Sequence, residues 1–313
     1  MKFNGRGLFV YSDPGAAKAV LSQAIKTEDV LQNVRIYSNR EFGFVTQFGL
    51  KVLTHPQNIK EIFDVYKPDF VFTGTSYTTD FEMTFIEEAT SRKIPSYSYV
   101  DHYLLFRKRF QINDRDCYPD EILVIDERAK QLAISEGLPA DKIFIFGNPY
   151  YEYLSMYKPS ISKEQFLNSI GIVDLTKHIV VFAPEPLSNI NGKDRYGFDE
   201  IDVLSELKKF LDIHDFHCHL LLKPHPNQDM NKIANLLSEK FILLSSDSDT
   251  NALIYYSDIV IGFFSNFLIE AEKMNKKILR LLLFKVENDP LLELNIGKVV
   301  NLQELESELK CLN

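Results

Sequence analysis

Two short stretches carry the residue types best suited to holding an anion. Lys223-Pro224-His225-Pro226 follows the apolar run His219-Leu220-Leu221-Leu222, and Ser265-Asn266, with Glu270 beyond it, follows Asp258-Ile259-Val260-Ile261-Gly262 and Phe263-Phe264. Both apolar runs have the length and continuity of buried parallel strands. A lysine and an imidazole fixed by two prolines at a strand exit are placed to meet a phosphate, because open α/β sheets bind ligands outside the carboxyl ends of their strands. Ser265-Asn266 is expected to cap a helix over 267–275, whose first N–H groups would suit the same anion. The exit Pro184-Glu185-Pro186-Leu187-Ser188, after the strand 179–183, adds Pro184, Glu185 and Ser188 as candidate ligand contacts.

The first half of the chain offers acid–base candidates at comparable positions. Asp13 follows the strand 7–11 and precedes Pro14-Gly15, while Asp101 and His102 close the strand 94–100. Asp13 could equally cap the helix that Pro14 begins. Thr75 and Ser76 at a third exit are read as hydrogen-bonding groups, since no neighbouring base would activate a hydroxyl nucleophile. The loop 101–110 packs Tyr103, Phe106 and Phe110 with Arg107, Lys108 and Arg109. Its arginines could grip a carboxylate or phosphate in two-pronged fashion, its aromatics and cations could simply be packed and solvated, or the loop could touch a membrane surface. His214, His217 and His219 have no carboxylate in a matching motif, so no metal is expected there. Asp247-Ser248-Asp249 reads as helix capping rather than as a metal site.

Strands alternate with helices along the whole sequence, so α/β architecture with mainly parallel sheets is expected. Helices are predicted at 16–26, 57–66, 126–136, 199–211, 230–240, 251–256, 267–275 and 302–312, and one more where Phe81, Phe85, Ile86 and Ala89 fall at helical spacing. With 313 residues the chain exceeds one core. The turn at 147–150 and the polar stretch 158–163 put the boundary near 157, giving domains 1–157 and 158–313. Hydrophobic residues at 45% and charged residues at 25% exclude a disordered chain. A net charge of -9 argues against general nucleic-acid binding, so an anionic ligand must be met by local donors. Cys117, Cys218 and Cys311 are too far apart for a disulfide framework or zinc site. No apolar run reaches the length of a membrane span, and the start reads as a strand rather than a signal segment; a cytoplasmic protein is expected, with the inner membrane face as one place its loop could reach.

Taken with these motifs, the second half resembles the glycosyltransferases of the GT-B fold, two facing Rossmann-like domains with a cleft between them. Lys223-Pro224-His225-Pro226 is similar to the His-Pro motif of bacterial sialyltransferases, Kdo transferases and CDP-glycerol or CDP-ribitol phosphotransferases. Ser265-Asn266 resembles the paired-serine motif of those families, differing by asparagine at the second place, and Glu270 matches the acidic residue that contacts the nucleotide ribose. Asp13-Pro14-Gly15 is loosely similar to their acidic-then-glycine motif housing the base.

The resemblance implies an inverting, metal-independent and cofactor-free transferase. Pro184, Glu185, Ser188, Lys223, His225, Pro226, Ser265, Asn266 and Glu270 would line the nucleotide-sugar donor site. Asp13, Asp101 or His102 would supply the base; Gly15, Thr75, Ser76, Arg107 and Arg109 would face a saccharide or lipid-linked saccharide acceptor. Such transfer needs a neutralised leaving phosphate, a base and a dry cleft. The donor expected is a CMP-linked acidic sugar such as a nonulosonate or Kdo, used in building capsule or lipopolysaccharide. A UDP- or CDP-linked donor, a UDP-N-acetylhexosamine 2-epimerase and a non-catalytic nucleotide-sugar binder are the alternatives.

Overall fold

In the computed structural model, residues 3–27, 29–113, 115–245, 248–287, 289, 291–292 and 294–312 are described. The chain forms two compact units, Met1–Tyr153 and Leu154–Asn313. This division falls inside the helix Pro149–Met156, where the sequence suggests only a turn and a linker.

The first unit is built on the strands β1 (Gly7–Tyr11), β2 (Val34–Ser38), β3 (Val52–Thr54), β4 (Phe70–Thr73), β5 (Ser96–Val100), the ribbon β6 (Gln111–Ile112) and β7 (Arg115–Asp116), then β8 (Glu121–Val124) and β9 (Ile143–Ile145). The main sheet runs β3-β2-β1-β4-β5-β8-β9 and all its neighbours pair in parallel. Every residue of β1 and β4 is buried, as a parallel strand covered by helices on both faces requires. The helix Phe81–Arg92 buries Met83, Phe85, Ile86 and Ala89 in that core.

The second unit contains β10 (His178–Phe182), β11 (Cys218–Leu222), β12 (Phe241–Leu243), β13 (Ile259–Gly262), β14 (Lys277–Leu281) and β15 (Lys298–Val300), in the order β12-β11-β10-β13-β14-β15. All of these pairs are parallel too. Each sheet reverses its winding once, between β1 and β4 and between β10 and β13. These are the topological switch points at which open α/β sheets form a crevice for ligands. The fold is thus α/β with two parallel-sheet Rossmann-like units.

Helix starts follow from short polar side chains. Asn58, Asp126, Asp249 and Asn301 accept backbone N–H groups at the starts of Ile59–Tyr66, Glu127–Ser135, Thr250–Tyr256 and Leu302–Lys310, and Asp199 does so for Glu200–Ile213. Asp249 therefore caps a helix, as expected of its triplet, whose first member Asp247 lies outside the described residues. Three segments differ from expectation. The helix expected at 230–240 is only Met230–Ile233, followed by a tight turn over Ala234–Leu236 and an irregular stretch 237–240 that leads to the edge strand β12. The polar stretch around 160 is not a bare linker: Ser162 and Gln165 form a capping box that starts a helix at Lys163–Ser169. The helix placed at 267–275 is Asn266–Lys273, with Asn266 its first residue rather than part of the cap.

Candidate functional site

At the first switch point, the exits of β1, β4 and β5 bring Asp13, Gly15, Thr75 and Asp101 together. A Cβ on Gly15 would stand 2.1 Å from Asp101 Oδ2, so any larger residue there would have to push that carboxylate aside. Asp13 precedes the helix Pro14–Ile25, but its side chain caps nothing. The carboxylate turns instead to Arg40, with Nη1 3.4 Å from Oδ1. Burial pushes the Asp101 carboxyl up from the ordinary carboxylate range, against the pull of the Arg109 guanidinium, and the charge of Asp13 pushes the same way as burial. A carboxyl raised by desolvation beside a positioned cation is suited to taking up and returning a proton.

Arg109 is 4% exposed, which differs from the ligand-gripping cation expected on a surface loop. Its Nη1 lies 3.9 Å from Asp101 Oδ1 and donates to the Thr75 carbonyl, while Nε donates to the Leu104 carbonyl. The guanidinium is thus framework, tying the exits of β4 and β5 and holding a positive charge behind Asp101. Thr75 and Ser76 are likewise buried; Thr75 donates to the Tyr99 carbonyl and the Ser76 hydroxyl accepts the Thr78 N–H. His102 and Arg107 are exposed, and Arg107 pairs with Asp116 at 3.3 Å.

A second buried carboxyl is not among the candidates that the sequence offers. Glu82, 1% exposed in the first turn of Phe81–Arg92, accepts the Ser12 hydroxyl at 2.9 Å, and burial lifts its pKa to about 7. No periodicity distinguishes it from a solvated helix glutamate; only its meeting with the β1 exit buries it.

At the second switch point, His225 Nδ1 accepts the Asn227 N–H at 3.1 Å, which leaves Nε2 to carry the proton of the neutral ring. Burial, and then the charge of Lys223, hold the imidazole below its usual pKa. Lys223 is buried and donates from Nζ to the Ser245 carbonyl at 3.0 Å, linking the exits of β11 and β12. Its charge sits behind His225. Pro184 is buried and Pro226 exposed, so the two prolines frame their exits from inside and outside.

Glu200 is fully buried and organises this region, although in the sequence it reads as an ordinary first-turn residue. It accepts the Ser188 N–H at 2.8 Å, the Ser188 hydroxyl at 2.6 Å and the Gln228 side chain at 3.4 Å. Ser188, expected to contact ligand, is therefore bound within the protein. Asn189 adds a bond to the Asn227 carbonyl, so the β10 exit and the loop carrying His225 are tied together.

The exits of β10 and β13 are joined by Glu185, whose Oε2 accepts the Phe264 N–H at 2.5 Å. Burial raises this carboxyl to about 7, opposed by hydrogen bonds from the Phe264 and Ser265 backbone. Ser265 is the N-cap of Asn266–Lys273, yet its hydroxyl makes no capping bond. Asn266 is exposed and Glu270 is buried in the second turn of this helix. His219, at the opposite end of β11, bonds the Asp174 carbonyl. Among the described residues no group of three or more His, Cys, Asp or Glu side chains could hold a metal, and no helix is long and apolar enough to cross a membrane.

No protein-family model and no curated protein sequence matches this chain. Solved structures do. A UDP-GlcNAc 2-epimerase from Methanocaldococcus jannaschii superposes with a TM-score of 0.63 at 13% identity, over 97% of this chain and 92% of its own. The Neisseria meningitidis UDP-GlcNAc 2-epimerase bound to UDP-GlcNAc gives 0.62 at 16% identity, over 98% and 93%. Anabaena Alr3699/HepE in complex with UDP and glucose gives 0.57 at 14% identity, over 97% and 89%. The likeness covers nearly the whole of each chain and is one of fold.

Proposed function

We propose that this chain is an enzyme acting on a UDP-linked sugar, as a UDP-N-acetylhexosamine 2-epimerase. The observation that carries the reading is the end-to-end likeness of fold to epimerase structures, one of them holding UDP-GlcNAc. The local chemistry is consistent with it. In the second unit, His225 can donate from Nε2 to a diphosphate oxygen, with the Lys223 charge behind it and the Glu200 network holding the loop. In the first unit, Asp101 has the raised carboxyl that proton transfer at carbon requires, and Asp13 is a second carboxylate at the same crevice.

Inversion at C2 of such a sugar has a defined balance. The C2 proton passes to a base as the C1–oxygen bond breaks and UDP leaves; a proton then returns to the opposite face of C2 and the UDP oxygen re-forms the bond to C1. Of the first unit's carboxyls, Asp101 and Asp13 are our candidates for these proton transfers; of the second unit's groups, His225 is our candidate for binding the diphosphate. A UDP-linked substrate takes precedence over the CMP-linked acidic sugar expected from the His-Pro motif, because similar structures hold UDP, UDP-GlcNAc or UDP-glucose.

Incubation with UDP-GlcNAc in deuterium oxide tests the assignment: the expected result is deuterium at C2 with both hexosamine epimers present. Return of unlabelled substrate alone would remove the epimerase reading. Calorimetry with UDP, CDP and CMP tests the nucleotide, UDP being expected to bind tightest, and His225→Ala is expected to lose that binding while keeping the fold. A second reading, glycosyl transfer from a UDP-linked donor, rests on the Lys223–His225 motif; it predicts acceptor-dependent UDP release and no deuterium at C2.

A further inference from the structure

Glu185 stands at the topological switch point of the second sheet, where the exits of β10 and β13 part and where a ligand of an open α/β sheet is expected. Its carboxylate accepts the Phe264 N–H at 2.5 Å, and Ser265, next in the chain, is the N-cap of the helix Asn266–Lys273. Successive backbone N–H groups leading into a helix are the arrangement that proteins use to bind phosphate. Beside them, the Ser265 hydroxyl is buried and lacks a hydrogen-bond partner among the described residues, so a polar group suited to a ligand oxygen is left unused. The Phe264 N–H has thus already taken a carboxylate oxygen, and that carboxylate belongs to the protein.

We propose that Glu185 is a resident anion of the nucleotide site, occupying the Phe264 N–H at the entrance to the helix Asn266–Lys273 that a ligand phosphate would use, so that a diphosphate binds by displacing it. The inference rests on the nucleotide-sugar reading above. Two physical consequences follow. In the empty protein the carboxylate satisfies the Phe264 N–H, which keeps the β13 exit ordered. On ligand entry the carboxylate repels the diphosphate until it swings away, which weakens binding and limits product retention. A purely structural glutamate would act in the other direction: its loss would disorder the N–H groups and weaken binding.

Glu185→Gln removes the charge and keeps an acceptor; Glu185→Ala removes both. Calorimetry at pH 8 with UDP and with inorganic pyrophosphate is expected to give roughly tenfold tighter binding for the alanine variant, the scale of one hydrogen bond to a charged group. The glutamine variant should fall between it and the wild type. In parallel, amide hydrogen exchange at Phe264 and Ser265 should quicken in the unliganded alanine variant and slow again with UDP. Binding that is unchanged or weaker in both variants, with the glutamine variant melting as the wild type does, would overturn the proposal while wild-type UDP binding leaves the nucleotide reading in place. If neither UDP nor pyrophosphate binds wild type or variants, both readings fall together.

Discussion

Asp101, proposed above for proton transfer, shows how much of such a role would be made by its neighbours. Its position after an apolar strand is visible in the sequence; its protonation behaviour is not, because that depends on burial, on Arg109 at 3.9 Å and on Asp13 across the same crevice. Arg109 itself reads in sequence as one of three loop cations, and only folding turns it inward onto the Thr75 and Leu104 carbonyls. The residue-scale prediction is that Asp101→Asn lowers turnover at least about a hundredfold while changing UDP affinity little, as expected for loss of a general acid–base group. In the wild type the acidic limb of the rate–pH profile should lie above the ordinary aspartate range, since activity as a base requires the raised carboxyl to ionise. Steady-state kinetics with UDP-GlcNAc across pH measures both, and full turnover by the variant would remove Asp101 from the chemistry.

Among the elements, the helix Phe81–Arg92 carries a cost that its apolar stripe does not reveal. Phe81, Phe85, Ile86 and Ala89 mark its core face in the sequence, whereas Glu82 reads as solvent-facing until the helix start is packed under Ser12. Its carboxyl rises from 4.5 to about 7 on folding. The folded protein therefore holds a proton that the unfolded chain releases between those values, so this group lowers stability as pH rises through the window. Glu82→Gln should remove that dependence and stabilise the protein by about 1–3 kcal/mol at pH 8 relative to pH 5, the free-energy equivalent of the shift. Thermal unfolding at the two pH values checks it; an equal change in both proteins would show that Glu82 does not carry the effect. The same contrast between stripe and contact explains Glu200, whose place in a helix is legible in the sequence and whose three donors are not.

On the scale of the molecule, each sheet is a separate core strung on parallel strands, and long-range polar pairs hold the segments that leave it. Arg280 on β14 and Asp289 form a two-pronged buried ion pair, at 1% and 5% side-chain exposure, that anchors the chain between β14 and β15. Removing one partner strands a buried charge. Arg280→Met is expected to cost about 3–5 kcal/mol in denaturant unfolding, and adding Asp289→Leu should restore most of it. A double variant as unstable as the single would show that the pair's charges are not what matters. The sequence by itself determined the α/β class, the strand-by-strand alternation, most helix starts and the loops at which polar groups gather. Those features follow from local periodicity and from short polar residues competing for backbone N–H groups. Tertiary structure alone decided which polar groups face one another. It turned Ser188 and Arg109 into framework, buried Glu82 and Glu200, and set the Glu185 carboxylate on the Phe264 N–H after β13. Burial and partner identity are properties of residues far apart in the chain, and no local pattern encodes them.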